Sequence, residues 1–324
     1  MLKEEITAIL PSPLREMFLR LREEHYKVLQ EIRLRVGQPV LLRLQQEERG
    51  LNQEGLCEVK ASYLVAREDM ESLLKYLSGF SLYALEDELR QGYVTIKGGH
   101  RIGLSGKMVI ENEQIKTMKY ISSMNIRIAH QVIGCSKRVM PYLVSREKVY
   151  HTLIVSPPGC GKTTLLRDII RNLSNGYSGY GPYRIGLVDE RSEIAGCYQG
   201  IPQNDVGIRT DVLDACPKIE GMGILLRAMS PHVIAVDEIG KEGDLVALEE
   251  VLSAGVAILS TVHGKNLEDC RHRPLLREFL EKGLFERIIL LSNRQGPCSL
   301  EGILEGRTYR NLLGSERGGR LCDY

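Results

Sequence analysis

The arrangement of apolar and polar residues changes character part-way along the chain. Over residues 1–134 the apolar positions are spaced or alternating. Ile6, Ile9 and Leu10 and, after Pro11-Ser12-Pro13, the set Leu14, Phe18 and Leu21 recur at helical spacing with charges between them, which predicts two amphipathic helical segments. Ile32, Leu34 and Val36 then alternate with Glu31, Arg33 and Arg35, the period of a half-buried strand with its arginines on a solvated face. Gly37-Gln38-Pro39 turns the chain into Val40-Leu41-Leu42, and residues 45–60 are polar and read as loop. Met70, Leu73, Leu74 and Leu77 predict one more helix, and Leu82, Leu85 and Leu89 another, with Gly79 between. Residues 92–106 read as a hairpin closed by Gly98-Gly99, and 121–128 as a further strand. The expectation is a small α+β domain over 1–134.

Beyond it the apolar residues fall in continuous runs: Leu153-Ile154-Val155, Ile185-Gly186-Leu187-Val188, Val233-Ile234-Ala235-Val236, Val256-Ala257-Ile258-Leu259 and the strand-like 287–292. Helical patterns over 162–173, 220–229, 245–252 and 267–283 separate them. Strands that are apolar on both sides and alternate with helices predict a mainly parallel sheet covered on both faces, an α/β domain over 135–324. Residues 205–218, with Arg209, are less regular, and Asn293-Arg294 begins a final hairpin.

The strand ends carry the chemistry. The first run leads into Ser156-Pro157-Pro158-Gly159-Cys160-Gly161-Lys162-Thr163-Thr164 and then into a helix, the context of a phosphate-binding loop. Backbone N–H groups of such a loop cradle phosphates at the positive end of the helix. Lys162 would reach the outer phosphates and the Thr163 hydroxyl would hold Mg²⁺. Ser156 stands where the strict motif has Gly. The second run ends in Asp189-Glu190-Arg191-Ser192-Glu193, acids positioned for Mg²⁺ or for water at the carboxyl end of a strand. The third ends in Asp237-Glu238, where Asp237 would hold Mg²⁺ through water and Glu238 would orient or polarise an attacking water. The fourth ends in Ser260, Thr261 and His263, where a γ-phosphate sensor would sit. Arg101 and Arg127, on predicted strands of the first domain, are either exposed strand arginines or cations for a γ-phosphate.

Composition narrows the partners. The net charge of +1 creates no global basic field, which disfavours direct nucleic-acid binding. The eight cysteines are scattered without a CxxC pair, and the start of the chain has no long apolar core, which together read as reduced, intracellular thiols and no secretory signal. No apolar run approaches the length of a membrane span, so a membrane role would act through partners.

The stretches SPPGCGKTT, LVDERSEIAG, VIAVDEIG and ILSTVHG, in this order, resemble the nucleotide domain of the secretion-type ATPases, the hexameric motors of type II and type IV secretion and of pilus assembly. EIRLRVGQP resembles the opening strand of that family's N-terminal domain, and GGHRIGL and SSMNIRIA resemble the strands that carry its arginines. The longer stretches DERSEIAGCYQGIPQNDVGIRTDVLDACPK and GMGILLRAMSPHVIAVDEIG are similar to a sporulation branch of the family in endospore-forming bacteria. The resemblance implies a RecA-like P-loop ATPase core that uses ATP and Mg²⁺, a ring of identical subunits, and an active site at the subunit interface. It implies that Asp189, Glu190 and Glu193 belong to an acidic box, Glu238 is the catalytic acid position, His263 belongs to a His box, and Arg101 and Arg127 form a phosphate-sensing pair. It further implies a mother-cell cytoplasmic location and membrane-protein partners in a channel to the forespore. The chain departs from the broader family at Ser156, at Asp237 in place of Gly, and in having no tetracysteine zinc module. A nucleic-acid motor and a nucleotide-binding assembly scaffold remain alternatives on the sequence.

Overall fold

The computed structural model describes residues 2–45, 47–78, 86–296, 298–314 and 321. The chain divides into two compact units, Met1–His130 and Gln131–Tyr324.

In the first unit, α1 (Leu2–Ile9), α2 (Leu14–Leu19) and α3 (Glu23–Val28) lead into β1 (Leu29–Arg35), followed by β2 (Leu41–Leu44), β3 (Glu47–Asn52) and β4 (Gly55–Cys57). After α4 (Arg67–Leu77) and α5 (Glu86–Gln91) come β5 (Tyr93–Thr95), β6 (Arg101–Glu111) and β7 (Gln114–Arg127). Among the described residues these strands form one antiparallel sheet in the order β4-β3-β2-β1-β7-β6-β5. The predicted helix positions Ile6, Leu10, Leu14, Phe18 and Leu21 are buried against Ile32 and Leu34 of β1, while Arg33 is exposed and pairs with Glu31. Two expectations need correction here. Residues 45–60 are not loop but contain the paired β3 and β4. Glu47, Glu48 and Arg49 are exposed and the strand is held by its ladder, so no alternation marks it. The further strand expected over 121–128 is longer and begins at Gln114. Gly79, and Leu82 and Leu85 of the helix predicted after it, lie outside the described residues.

In the second unit, α6 (Met140–Leu143) precedes β8 (Thr152–Ser156), α7 (Lys162–Asn175), β9 (Ile185–Asp189), β10 (Thr210–Asp214), α8 (Lys218–Met229) and β11 (Val233–Val236). Then follow α9 (Asp244–Ser253), β12 (Ala257–His263), α10 (Leu267–Arg271), α11 (Pro274–Glu281), β13 (Arg287–Ser292) and β14 (Ser299–Glu305). The sheet order is β10-β9-β11-β12-β8-β13-β14, parallel throughout except for the β13–β14 hairpin at one edge. Alternate residues of the continuous apolar runs face opposite sides, which is why the runs show no polar interruptions. Ile154, Leu187, Ala235 and Leu259 pack with Leu165, Ile169 and Leu173 of α7. Val155, Val188, Ile234 and Ile258 pack with Met222 and Leu225 of α8, Leu248 of α9 and Phe279 of α11. The less regular segment 205–218 contains β10, an edge strand of half-buried residues that carries no apolar run. The single helix expected over 267–283 is two, because Pro274 cannot continue α10 and instead opens α11.

Leu259→Ala, at a position 1% exposed, is expected to cost about 2–5 kcal/mol of stability. Val246→Ala, 60% exposed on α9, is expected to change it by less than about 0.5 kcal/mol. Urea denaturation of the full chain monitored in the second unit measures both, and equal effects would contradict the two-faced core.

Candidate active site

The turn between β8 and α7 has the backbone that its glycines lead one to expect. Gly159 and Gly161 have φ of 72° and 81°, conformations that residues with a Cβ rarely adopt. A Cβ on Gly161 would also meet Cys298 Sγ at 2.0 Å. Cys298 follows β13 on the hairpin beside the loop, and its N–H donates to the Cys160 carbonyl at 3.0 Å. Ser156, by contrast, is the last residue of β8 and stands opposite His263 in the ladder with β12. It is fully buried and extended, its hydroxyl donates to the Pro157 carbonyl at 2.9 Å, and its own carbonyl accepts from Gly264 N at 3.0 Å. Nothing at this position requires Gly, so the departure from the strict motif leaves the loop geometry intact. Pro158 and Gly159 are exposed, Cys160 is buried, and Thr164 carries the helix forward.

β12 lies between β8 and β11, so its end stands between the loop and Asp237-Glu238. Lys162 Nζ donates to Glu238 Oε1 at 2.7 Å. Thr163 Oγ1 donates to Asp237 Oδ2 at 3.3 Å. His263 Nε2 stands 2.8 Å from Glu238 Oε1, and Arg191 Nη1 stands 2.9 Å from Glu238 Oε2. Burial pushes the Glu238 carboxyl up, but the Lys162 hydrogen bond and the charges of Lys162, His263 and Arg191 outweigh it and hold the group below the ordinary carboxylate range. Glu238 itself has φ of 50°, a left-handed conformation that costs a residue with a Cβ about 1–3 kcal/mol and persists only where its surroundings impose it. Thr261 Oγ1 bonds to the Asp237 carboxylate and accepts the Glu238 N–H at 3.0 Å, and Lys218 Nζ donates to the Glu238 carbonyl at 2.6 Å.

The profile of the family described as Sporulation stage III, protein AA matches residues 1–311. The chain belongs to this family. Stage III sporulation protein AA of Bacillus subtilis (strain 168) is 42% identical over 319 residues, 98% of this chain and 99% of its own. Among solved structures, the pilus retraction motor PilT with bound ADP aligns with a TM-score of 0.56 at 17% identity, over 83% of this chain and 76% of its own. The Legionella pneumophila ATPase DotB aligns with a TM-score of 0.53 at 14% identity, over 81% of this chain and 72% of its own. At these identities the likeness is one of fold, a mixed α/β architecture.

In this member of the Sporulation stage III, protein AA family the acids after β9 do not act as one group. Asp189, expected to face Mg²⁺ or water, points inward instead. It is 1% exposed, and its carboxylate accepts from the N–H groups of Glu193, Ile194 and Ala195 at 2.9, 3.0 and 2.8 Å. A strand-end Asp that folds the following loop onto itself has the same sequence signature as one that faces a metal. Burial raises its pKa from 3.8 to about 6 against the pull of the Ala195 and Glu193 amides. Glu190 lies against Lys218 Nζ at 3.3 Å and Lys241 Nζ at 3.1 Å. Burial raises its carboxyl, and the hydrogen bond from Lys241 and the charge of Lys218 bring it below the ordinary range. In the first unit, Arg101 and Arg127 are direct cross-strand partners on β6 and β7, and the Arg101 guanidinium lies 3.6 Å from the centre of the Tyr93 ring. Two contributors had no assignment from the sequence. Arg191 was visible only as an arginine among acids, and Lys218 carried no signal, because a buried lysine whose main partner is a backbone carbonyl belongs to no side-chain motif. No helix of the described residues is long and apolar enough to cross a membrane.

Ser156→Gly is expected to leave binding of a fluorescent ATP analogue unchanged while lowering stability by about 0.5–1 kcal/mol, through the chain entropy of a glycine in a strand. A loss of binding would show that Ser156 shapes the loop. A second expectation concerns pH. A carboxyl whose folded pKa is raised binds more protons in the folded state, so the stability linked to it is present below the unfolded value and is lost as pH rises from 3.8 through about 6. The stability of the wild type relative to Asp189→Asn should therefore fall across that window in thermal unfolding. A difference that is flat or rises with pH would contradict the burial of Asp189.

Proposed function

We propose that the protein hydrolyses ATP as a ring-forming, RecA-like ATPase of the secretion type, and that it energises a membrane channel between mother cell and forespore during endospore formation. The observation that carries the hydrolysis is the pairing of loop and strand end: Lys162 with Glu238 at 2.7 Å and Thr163 with Asp237 at 3.3 Å. The sporulation setting is supported by the family, and the motor reading by the fold shared with the pilus retraction motor PilT and the ATPase DotB.

Phosphates of ATP would be cradled by the loop Ser156–Thr164, whose N–H donors run from Gly159 onward because Pro157 and Pro158 carry none, with the positive end of α7 behind them. The donor set suits Mg²⁺, because a hydroxyl and a carboxylate already within hydrogen-bond distance are the hard oxygen ligands that the ion takes. Thr163 and Asp237 would hold it, and when bound it would neutralise charge on the phosphate oxygens. Lys162 is held by Glu238, so the outer phosphates of ATP would compete with that carboxylate for the same ammonium group. As Lys162 turns to the outer phosphates, Glu238 loses its closest cation and becomes a better acceptor for a water proton. His263 and Arg191, already on the Glu238 carboxylate, stand ready to interact with a γ-phosphate there. To Arg101 and Arg127 we assign the phosphate-sensing role. Their side-by-side register gives a pair of cations suited to a phosphoryl group. Glu190, held by two lysines, supports this site in our reading rather than touching water.

Lys162→Ala is expected to abolish ATP hydrolysis. Glu238→Gln is expected to keep ATP binding and lower kcat by about a hundredfold or more. Steady-state hydrolysis and binding of a fluorescent ATP analogue measure both. Normal turnover in Glu238→Gln would remove Glu238 as the base, and stimulation of the wild type by DNA or RNA would turn the reading toward a nucleic-acid motor.

A further inference from the structure

Lys218 opens α8 but is 3% exposed. A lysine at such a place needs both a counter-charge and acceptors for its N–H groups. It has Glu190 Oε2 at 3.3 Å, Asp244 Oδ2 at 4.0 Å and, as its shortest contact, the Glu238 carbonyl oxygen at 2.6 Å. The Glu238 carbonyl belongs to a residue in left-handed conformation, in the turn just past the end of β11. The rest of that turn is fixed at other points. Thr261 takes the Glu238 N–H through its hydroxyl and the Ile239 N–H through its carbonyl, at 3.0 and 2.9 Å. Asp244, 1% exposed, takes the N–H groups of Gly240 and Lys241 at 2.8 and 2.9 Å.

We infer that Lys218 is a positioning residue for Glu238: its ammonium group fixes the left-handed backbone of the turn, and so the direction of the Glu238 carboxylate, while tying that turn to Glu190. Thr261 holds the turn from the N–H side and Lys218 from the carbonyl side. With either removed, Glu238 is free to relax into an ordinary conformation, and its carboxylate then swings away from Lys162 and His263. Glu190 sets the place of the ammonium group and thereby acts on Glu238 without touching it. The inference rests on the hydrolysis reading for what Glu238 does, but not for where Lys218 holds it.

The test uses the full chain with Lys218→Met, which keeps the length and removes the charge and donors. Hydrogen–deuterium exchange of the nucleotide-free protein reads the turn directly. Peptides spanning 236–244 should exchange faster than in the wild type, while peptides from β8 and α7 keep their rates. In steady-state hydrolysis, kcat should fall by about a hundredfold, as expected for a displaced catalytic group, with the affinity for a fluorescent ATP analogue unchanged. Lys218→Arg, which keeps charge and donors, should recover part of both readouts. If Lys218→Met does not fold, Glu190→Gln, which releases the ammonium group from its counter-charge, should show the same faster exchange over 236–244. Unchanged exchange there, or a loss of nucleotide affinity in step with kcat, would overturn the inference. A wild type that hydrolyses no ATP, combined with faster exchange in the variant, would uphold the positioning of Glu238 and overturn the proposed function instead.

Discussion

The ion pair between Lys162 and Glu238 is the contact on which the site turns. It joins Lys162, the first residue of α7, to the second residue beyond β11, two strands away from β8 in the sheet. Both side chains are largely withdrawn from water, at 9% and 18% exposure, so the pair does not have the weak character of a surface salt bridge. The partners are not equivalent: Glu238 also has His263 and Arg191 on its carboxylate, at 2.8 and 2.9 Å. The rest of the second unit can be understood as what is needed to bring these two groups together. A parallel order with β12 between β8 and β11 sets the spacing, glycines at 159 and 161 let the loop fold back, and the left-handed Glu238 turns its carboxylate toward the loop.

That last element explains a concentration of polar groups that would otherwise be costly. Thr261, Lys218 and Asp244 are all nearly inaccessible, and each has a partner in the turn that carries Glu238. Buried polar groups stabilise little in net terms when satisfied, but they specify one conformation against its competitors. Here the conformation specified is one the backbone does not prefer.

The parts of this protein that were legible in its sequence are those where one physical rule acts on consecutive residues. Apolar runs marked β8, β9, β11 and β12, because both faces of a parallel strand are buried, and the polar residues at their ends had to lie along one edge. Lys162, Thr163, Asp237, Glu238 and His263 were found in this way, and they do converge. The rule failed where hydrogen bonds hold an element without burial, as in β3 with its exposed Glu47, Glu48 and Arg49, and in the half-buried β10. It also misdirected the reading of Asp189, since a carboxylate that folds its own loop and one that faces a ligand occupy the same place in the sequence. Lys218 was beyond reach for a different reason: the group it serves is a carbonyl, and carbonyls are not written in a sequence.

The electrostatics of Glu238 suggest why Lys162, Arg191 and His263 meet on one acid. A carboxylate beside a triphosphate faces a large negative charge, which by itself would favour its protonation and remove it as a proton acceptor. Lys162 cannot serve both anions at full strength. Arg191 and His263 approach from β9 and β12 rather than from the loop, so in the proposed reaction they would stay on Glu238 when Lys162 turned to the phosphates. The acid would then be neither so strongly paired that it cannot take a proton nor so exposed to phosphate charge that it already holds one. Arg191, half exposed, is the member of the set with most freedom to move, and under the proposed function it would follow charge from the carboxylate to a γ-phosphate, which would give the position after Asp189-Glu190 a reason to be arginine.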